Sequence, residues 1–517
     1  MVEDFPEVAE GSTNQYQNWE VVDPEKWVPE GYVCVRVDSR GTGMSPGYID
    51  HFSPRETQDF YECIEWAAAQ PWSTGKVGLN GISYLAINQW HVASLQPPSL
   101  AAMCVWEGAA EWYRDMTHHG GLLSSFWDNW YPMQVTKVQY GVGDNGYQSR
   151  VHGRNVAGYE TLSEEELAAN RSDFGADIAA HPMLDDYHRD RSPVFDQIQT
   201  PLLSAGNWGG AGLHLRGNVE GYYQSASDQK WLELHGLEHW THFYTDYGRE
   251  MQLAFFDHFL KGADNGWDKR PAVQLQVRHT DRFEERFEEA WPIPRTRWTE
   301  MYIHSDGSLS HEPPSAAAEL SFEAMGDGLT FRSAPLEADT EFTGPLAAKL
   351  WVSSSTEDAD VFVVFRVFDP NGDEVVFQGA VEPNAPIAQG WLRASHRELD
   401  AETSERWRPI HTHTNRQMLT PGEVYELDVE FWPTSIVVPA GYTVALSVRG
   451  NDYVYEGAAD PDKLTIESFA HPFTGSGPFI HVDERSRPAE LFGGTTTLHI
   501  GPDRPAHVLT PVIPEKG

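Results

Sequence analysis

Ser83 sits in Lys76-Val77-Gly78-Leu79-Asn80-Gly81-Ile82-Ser83-Tyr84-Leu85-Ala86: a short apolar run, a turn between small residues, a serine, and then apolar residues at helical spacing. A serine on a strand-to-helix turn stands clear of its sheet, and the helix N-terminus beside it receives negative charge. That is the chemistry of a nucleophile attacking a carbonyl. Gly81 lets the backbone pass close behind the serine, and the Tyr84 N–H is placed to act as an oxyanion donor. The usual Gly-x-Ser-x-Gly is not met, because Leu85 stands at the second glycine. An ordinary N-cap serine is the competing reading.

A nucleophilic serine needs a histidine to take its proton and a carboxylate to orient that histidine. On an open α/β sheet these groups arrive in the order Ser, acid, His, each on a loop after a strand. His239 fills the histidine's place, directly after the strand expected over 230–235; His235 ends that strand and His242 lies one turn further on.

The elements that must position these groups alternate. Gly31 to Asp38 has the composition of a buried parallel strand and is followed by the glycine-punctuated loop Ser39 to Gly47. A helix starts at Ser53, with Pro54 at its first position and Glu56 closing a capping box, and stops before Pro71. The strand ending at Ser83, its helix, and strands over Leu100 to Trp106, Pro201 to Ala205 and Lys230 to His235 follow, then a helix over Arg249 to Leu260. This order predicts a parallel sheet with right-handed crossovers. Met116 to Asp196 breaks the pattern with aromatic and acidic helical pieces such as Ser163 to Leu167, expected to be a cap roofing the pocket. Beyond Trp298 short alternating strands (Val361 to Val367, Val424 to Phe431, Thr443 to Val448) and Pro/Gly/Asn turns predict an all-β sandwich of jelly-roll type.

With 517 residues the chain is too long for one core. Asp+Glu 77 against Lys+Arg 37 gives a formal charge of −40, which disfavours nucleic acid and anionic lipid as partners. Either a protein kept soluble in high salt or an ordinary acidic enzyme fits that balance. Three cysteines, Cys34, Cys63 and Cys104, give neither a disulfide framework nor a zinc knuckle and are expected as buried free thiols. The start of the chain lacks a signal-peptide pattern, and no run of 18 apolar residues occurs, so a cytoplasmic location is expected.

Taken together, Asp38-Ser39-Arg40-Gly41-Thr42-Gly43-x-Ser45-x-Gly47, Trp66-Ala67-Ala68-Ala69-Gln70-Pro71-Trp72-Ser73-x-Gly75-x-Val77-Gly78 and Gly81-x-Ser83-Tyr84-x-Ala86 resemble the cocaine-esterase/X-prolyl dipeptidyl-peptidase type of serine hydrolase (CocE/NonD). The resemblance continues through Phe255 to Gly262 and, in the β half, at Gly344-Pro345 and Gly390 to Arg397. It implies an α/β-hydrolase sheet over 1–115 and 197–298, a helical cap over 116–196 and a C-terminal jelly roll over 299–517. It also implies hydrolysis of an ester or amide through an acyl-serine intermediate, with Ser83 as nucleophile and His239 as base.

Two departures stand out. Where the family places its acid, in an Ala-Gly-x-x-Asp-Gly pattern, this chain has Ala205-Gly206-Asn207-Trp208-Gly209-Gly210, so Gly209 stands at the aspartate. Glu107, at the end of the preceding strand, is the expected substitute, with Glu238 behind it; a structural role for Glu107 is the alternative. Second, the resemblance begins after the family's first strands, including a Pro-Tyr segment whose tyrosine completes the oxyanion hole, which predicts an uncovered sheet edge and suggests a truncated reading frame or a misassigned start codon. Tyr16 is a weak stand-in for that tyrosine. His118-His119 and His411-x-His413 are expected as exposed histidines rather than metal ligands, and Asp115 and Asp128, near the cap, as solvated acids rather than partners of a substrate amine. The expectation is a hydrolase with a small-molecule ester or amide substrate, no cofactor, no metal, no nucleic-acid or membrane partner, and a homo-oligomer allowed. The competing expectation is a catalytically inactive relative or truncated product with a binding or assembly role.

Overall fold

The computed structural model describes residues 5–457 and 475–515. Its first half is built on a six-stranded sheet, β1 (Val77–Ile82), β2 (Leu100–Trp106), β3 (Leu202–Asn207), β4 (Lys230–His235), β5 (Val273–Arg278) and β6 (Phe283–Glu288), which lie side by side in that order. The first five are parallel and β6 returns antiparallel to β5. Pairing of Ile82 with Trp106, Trp106 with Ala205, and Asn207 with His235 brings the carboxyl ends of β1 to β4 to one edge. Loops leaving that edge meet there, as open α/β sheets place their sites.

Three helices flank the sheet next to the site: α1 (Pro54–Ala68), α2 (Tyr84–Ser94) and α3 (Leu215–Gln224); α4 (Asp246–Lys261) follows β4. Ser53 caps α1 by accepting from the Glu56 N–H. Glu56 itself reaches Phe52 N–H, Ser39 Oγ and the Tyr84 hydroxyl, so the expected capping box is opened to tie three segments together. Gly262 ends α4 in the left-handed conformation that glycine adopts without a Cβ penalty.

Gly31 to Asp38 is not a strand. The run is extended, yet residues 33–38 make no backbone–backbone hydrogen bond to any described residue, and Val33, Val35 and Val37 are exposed. The reason lies across the gap. β1 is the terminal strand of its sheet, and a groove of about 1150 Å³ lined by Val33, Val35, Leu79 and Asn80 separates the two segments. Apolar alternation marked a segment able to pair, but no strand lies within pairing reach. Cys34 is accordingly half-buried outside any strand, Cys63 is half-buried on α1, and Cys104 is buried in β2.

Between Met116 and Asp196 the helices are short: Phe126–Trp130, Glu164–Ala169, Phe174–Ala180 and Asp186–Arg189. Ser163 and Glu166 form a reciprocal capping box on the second. The apolar faces of the other three join Ile49, Phe52, Ile87 and Trp112 in an aromatic-rich core over the carboxyl edge of the sheet, whereas Leu167 of the second packs with Val142 and Ala157 in a small cluster of its own.

The second half is an all-β domain on one eleven-stranded sheet. Strand Thr340–Ser354 pairs with both Tyr425–Val438 and His507–Ile513, which closes most of the sheet into a barrel-like ring. Strand Asp360–Phe368 is buried on both faces. Val361, Val363 and Phe365 fill the ring, while Phe362 on the opposite face packs with Trp391 and Trp432 against Trp208, Leu234 and Leu275 of the first half. Burial of each such side chain is worth roughly 1.5–3 kcal/mol, so the two halves share a substantial core. Arg216 on α3 adds a buried ionic tie, bonded to Asp115 (2.7 Å), Glu111 (2.8 Å) and Glu430 of the β domain (3.0 Å). Asp115 is therefore a buried ion-pair member rather than a solvated acid, whereas Asp128 is exposed.

Candidate active site

Ser83 ends β1 and precedes α2 with φ 56° and ψ −119°, a left-handed backbone that L residues adopt only under constraint. The constraint comes from its N–H, shared between the carbonyls of Trp106 (3.2 Å) and Glu107 (3.1 Å), and from Gly81 behind it, where a Cβ would press on Leu85. Tyr84 is the first residue of α2, so its N–H has no acceptor within the helix and is available beside the serine. Glu107, at the end of β2, also holds a positive φ of 46°, and its carboxylate is completely buried.

Glu107 and His239 meet directly, Oε2 to Nδ1 at 2.6 Å. The other Glu107 oxygen is held by His235 Nε2 at 3.2 Å and by the Asn207 amide at 3.4 Å. His235 in turn bonds Glu233 (2.7 Å), which accepts from the Tyr247 hydroxyl (2.8 Å). Burial alone would push the Glu107 carboxyl up, but the charges and hydrogen bonds of His239 and His235 outweigh it and hold it at about 2. Burial would lower His239; Glu107 and then Glu20 overcome this and raise it to about 10. Glu238, the alternative acid, instead accepts from the Thr241 N–H at 2.7 Å.

Two residues at the site escaped the sequence reading. The Ser83 hydroxyl lies 3.1 Å from Nε2 of His214, not on His239. The only hint was that His214 follows the β3 loop at the sheet's functional edge. Burial and the neighbouring His239 charge depress His214 to about 3, so it is neutral. Its ring stacks on His239, with centroids 5.1 Å apart and planes 19° from parallel. The second is Glu20, whose Oε1 accepts from His239 Nε2 at 3.0 Å. Glu20 is buried on a turn with φ 60°, pinned where its carbonyl accepts the Ile82 N–H. Nothing in the polar residues around it signals that role.

An acid at Gly209 would force its surroundings to shift. A Cβ there would lie 2.0 Å from the Gly379 Cα of the β domain. The Gly379-Ala380 loop fills the place: Ala380 N–H donates to the Gly209 carbonyl (3.2 Å), and the Ala380 carbonyl accepts from the His239 N–H (3.0 Å). The β domain thus closes the acid's usual position and fixes the histidine's backbone.

A serine on a strained turn, a buried histidine–carboxylate pair on the neighbouring strand ends and a free helix N-terminus are the parts of an acyl-transfer site. Residues 6–244 match the family model of the X-Pro dipeptidyl-peptidase (S15 family), and residues 265–509 that of the X-Pro dipeptidyl-peptidase C-terminal non-catalytic domain. A crystal structure of a CocE/NonD family hydrolase from Staphylococcus aureus superposes with a TM-score of 0.84 and 31% identity, covering 99% of this chain and 85% of that one. The chain belongs to the CocE/NonD-type serine hydrolases. Among relatives of this family, the cocaine esterase of Rhodococcus sp. (strain MB1 Bresler) is 23% identical over 97% of this chain and 91% of its own length. A putative serine esterase of Mycobacterium tuberculosis is 24% identical over 83% of this chain and 79% of its own. The α/β-hydrolase sheet followed by an all-β domain agrees with these CocE/NonD neighbours.

The histidines expected at the surface are all buried. His118, His119, His411 and His413 lie between the cap segment and the β domain, where His119 Nδ1 meets His481 Nε2 at 2.8 Å and His413 Nδ1 meets His396 Nδ1 at 3.1 Å. Tyr16, the weak stand-in for the oxyanion tyrosine, is half exposed, and its carbonyl accepts from Arg36. Among the described residues, no helix is long and apolar enough to cross a membrane.

Proposed function

We propose that this chain is a serine hydrolase that cleaves an ester or amide through an acyl-serine intermediate, with Ser83 as nucleophile and the His239–Glu107 pair moving its proton. The observation that carries this reading is the 2.6 Å contact between Glu107 and His239 at the carboxyl edge of the sheet, the edge where Ser83 also stands. In the reacting arrangement the Ser83 side chain turns from His214 to His239 Nε2 as Glu20 withdraws. Removing the Glu20 charge lets His239 shed its proton and act as a base. Ser83 Oγ then bonds the carbonyl carbon while its proton passes to His239. The Tyr84 N–H and the start of α2 meet the oxyanion, and His239 returns the proton to the departing alcohol or amine. Water, activated by the same histidine, releases the acyl group.

The substrate class follows the relatives, whose names include serine esterases and Xaa-Pro dipeptidyl-peptidases: an acyl ester or an aminoacyl or dipeptidyl amide, bound beneath the aromatic segment over 116–196. The test is turnover of a panel of aryl esters and aminoacyl anilides by the parent and by Ser83→Ala. An inactive relative with a binding role is the second reading, favoured by His239 Nε2 resting on Glu20 instead of on the serine. Absence of turnover and of serine labelling in a folded parent would establish it in place of the first.

A further inference from the structure

One nitrogen from each of His214 and His239 and one oxygen of Glu107 all lie within 4.8 Å of one another, and all three side chains are buried. Two imidazoles and a carboxylate are the donor set of zinc and similar borderline divalent ions. An ion among three atoms so spaced lies within about 2.8 Å of each, so sub-ångström side-chain shifts reach the 2.0–2.2 Å of Zn–N and Zn–O bonds.

The surroundings set this cluster apart from an ordinary hydrolase site. In such a site His239 Nδ1 faces the acid and Nε2 faces the serine. Here Nε2 is held by a second carboxylate, Glu20, at 3.0 Å. That is how a metal-bound histidine is commonly supported, with the ligating nitrogen on one side and an N–H donated to a carboxylate on the other. The remaining oxygen of Glu107 is likewise held, by His235 and Asn207. His214 contributes an imidazole whose Nδ1 is buried with no hydrogen-bond partner.

We propose that Glu107, His214 and His239 bind one transition-metal dication of the zinc type, with Glu20, His235 and Asn207 as its supporting shell. Coordination occupies both imidazoles that stand near Ser83, so neither accepts the serine proton. On the serine-hydrolase reading above, the bound ion is a reversible inhibitor. Magnesium, which requires octahedral oxygen ligands, does not take the site.

The test is competition between the chelator-stripped full chain and a chromogenic zinc chelator at neutral pH, with magnesium as control. The parent is expected to hold one zinc equivalent with micromolar or tighter affinity and no corresponding magnesium. Ser83→Ala should keep that equivalent, His214→Gln should lose it, and Glu20→Gln should weaken it about 10- to 100-fold. Circular dichroism establishes that each variant is folded; should His214→Gln not fold, the comparison of Glu20→Gln with the parent decides. No saturable zinc equivalent in the folded parent, or undiminished affinity in folded His214→Gln or Glu20→Gln, overturns the proposal. Fluorophosphonate labelling separates the two readings. A stripped parent that labels, is silenced by zinc and recovers on chelation supports both. A stripped parent that binds zinc at this site yet never labels supports the metal site and removes the hydrolase reading alone.

Discussion

His214 and His239 stack with ring centroids 5.1 Å apart, and the Ser83 hydroxyl sits on the first while Glu107 holds the second. The serine and the histidine–carboxylate pair are thus linked through His214, and Glu20 occupies His239 Nε2. Replacing Glu20 by Gln removes one of the two charges that raise His239. A base acts in its neutral form, so reactivity that rises with pH toward about 10 in the parent should rise at lower pH in Glu20→Gln. In metal-free buffer at neutral pH the variant should label faster, by about tenfold for each unit its histidine falls. The check is the pH profile of labelling rate for the two proteins.

Glu107→Gln should leave Ser83 in place and disable it. The amide cannot stabilise an imidazolium and turns the His239 tautomer, a change that costs about 10⁴ in turnover in a comparable site. Steady-state turnover of the best aryl ester is the measurement. Loss of less than about tenfold would show that Glu107 is structural and that another acid serves His239.

Gly209→Asp restores the acid that the family pattern carries at that position, and it should not help. The new Cβ would meet the Gly379 Cα at 2.0 Å, a side-chain atom against backbone, so one of the two segments must move. The variant should melt at lower temperature, with turnover no higher than the parent's. A variant that is both stable and more active would show that the loop yields freely and that Glu107 is dispensable.

Folding buries a set of neutral histidines at the seam between the cap segment and the β domain. Burial, with the nearby Arg393 and Arg416 beside His396 and Arg114 beside His411, lowers both to about 3, and His118, His119 and His413 are also pushed well down. In the unfolded chain these groups titrate near 6.5. Their contribution to stability is therefore fully present above about pH 6.5 and is lost as pH falls toward their folded values, at up to about 1.4 kcal/mol per pH unit for each group. Melting temperature should drop steeply between pH 7 and 5. In the double variant His396→Gln/His411→Gln the slope should be shallower, and an unchanged slope would show that the seam does not govern acid stability.

Much of this was legible in the sequence because strand-end residues declare themselves. The strands over 100–106 and 230–235 were read to the residue, and with them the positions of Glu107 and His239. Ser83 was legible for the same reason, standing where an apolar run gives way to a helix. The contribution of Gly31 to Asp38 was not, because alternation reports which side chains are apolar and says nothing about whether a neighbouring strand is within reach. Nor were Glu20 and His214. Each acquires its role only through a partner far along the chain, 219 residues away for Glu20 and 131 for His214. The buried histidines erred in the same direction: polar residues read as exposed until a second domain is packed over them. Closure of the Gly209 position by Gly379 is likewise a contact between halves of the molecule, visible only once both are folded.

Labelling of the full chain by a fluorophosphonate probe, after chelation and in both low and molar salt, reads directly whether Ser83 is an activated nucleophile. One adduct is expected, located on Ser83 by peptide mass spectrometry and absent from Ser83→Ala. A folded parent that takes up no probe in either salt, or takes it up equally in Ser83→Ala, would contradict that role for Ser83.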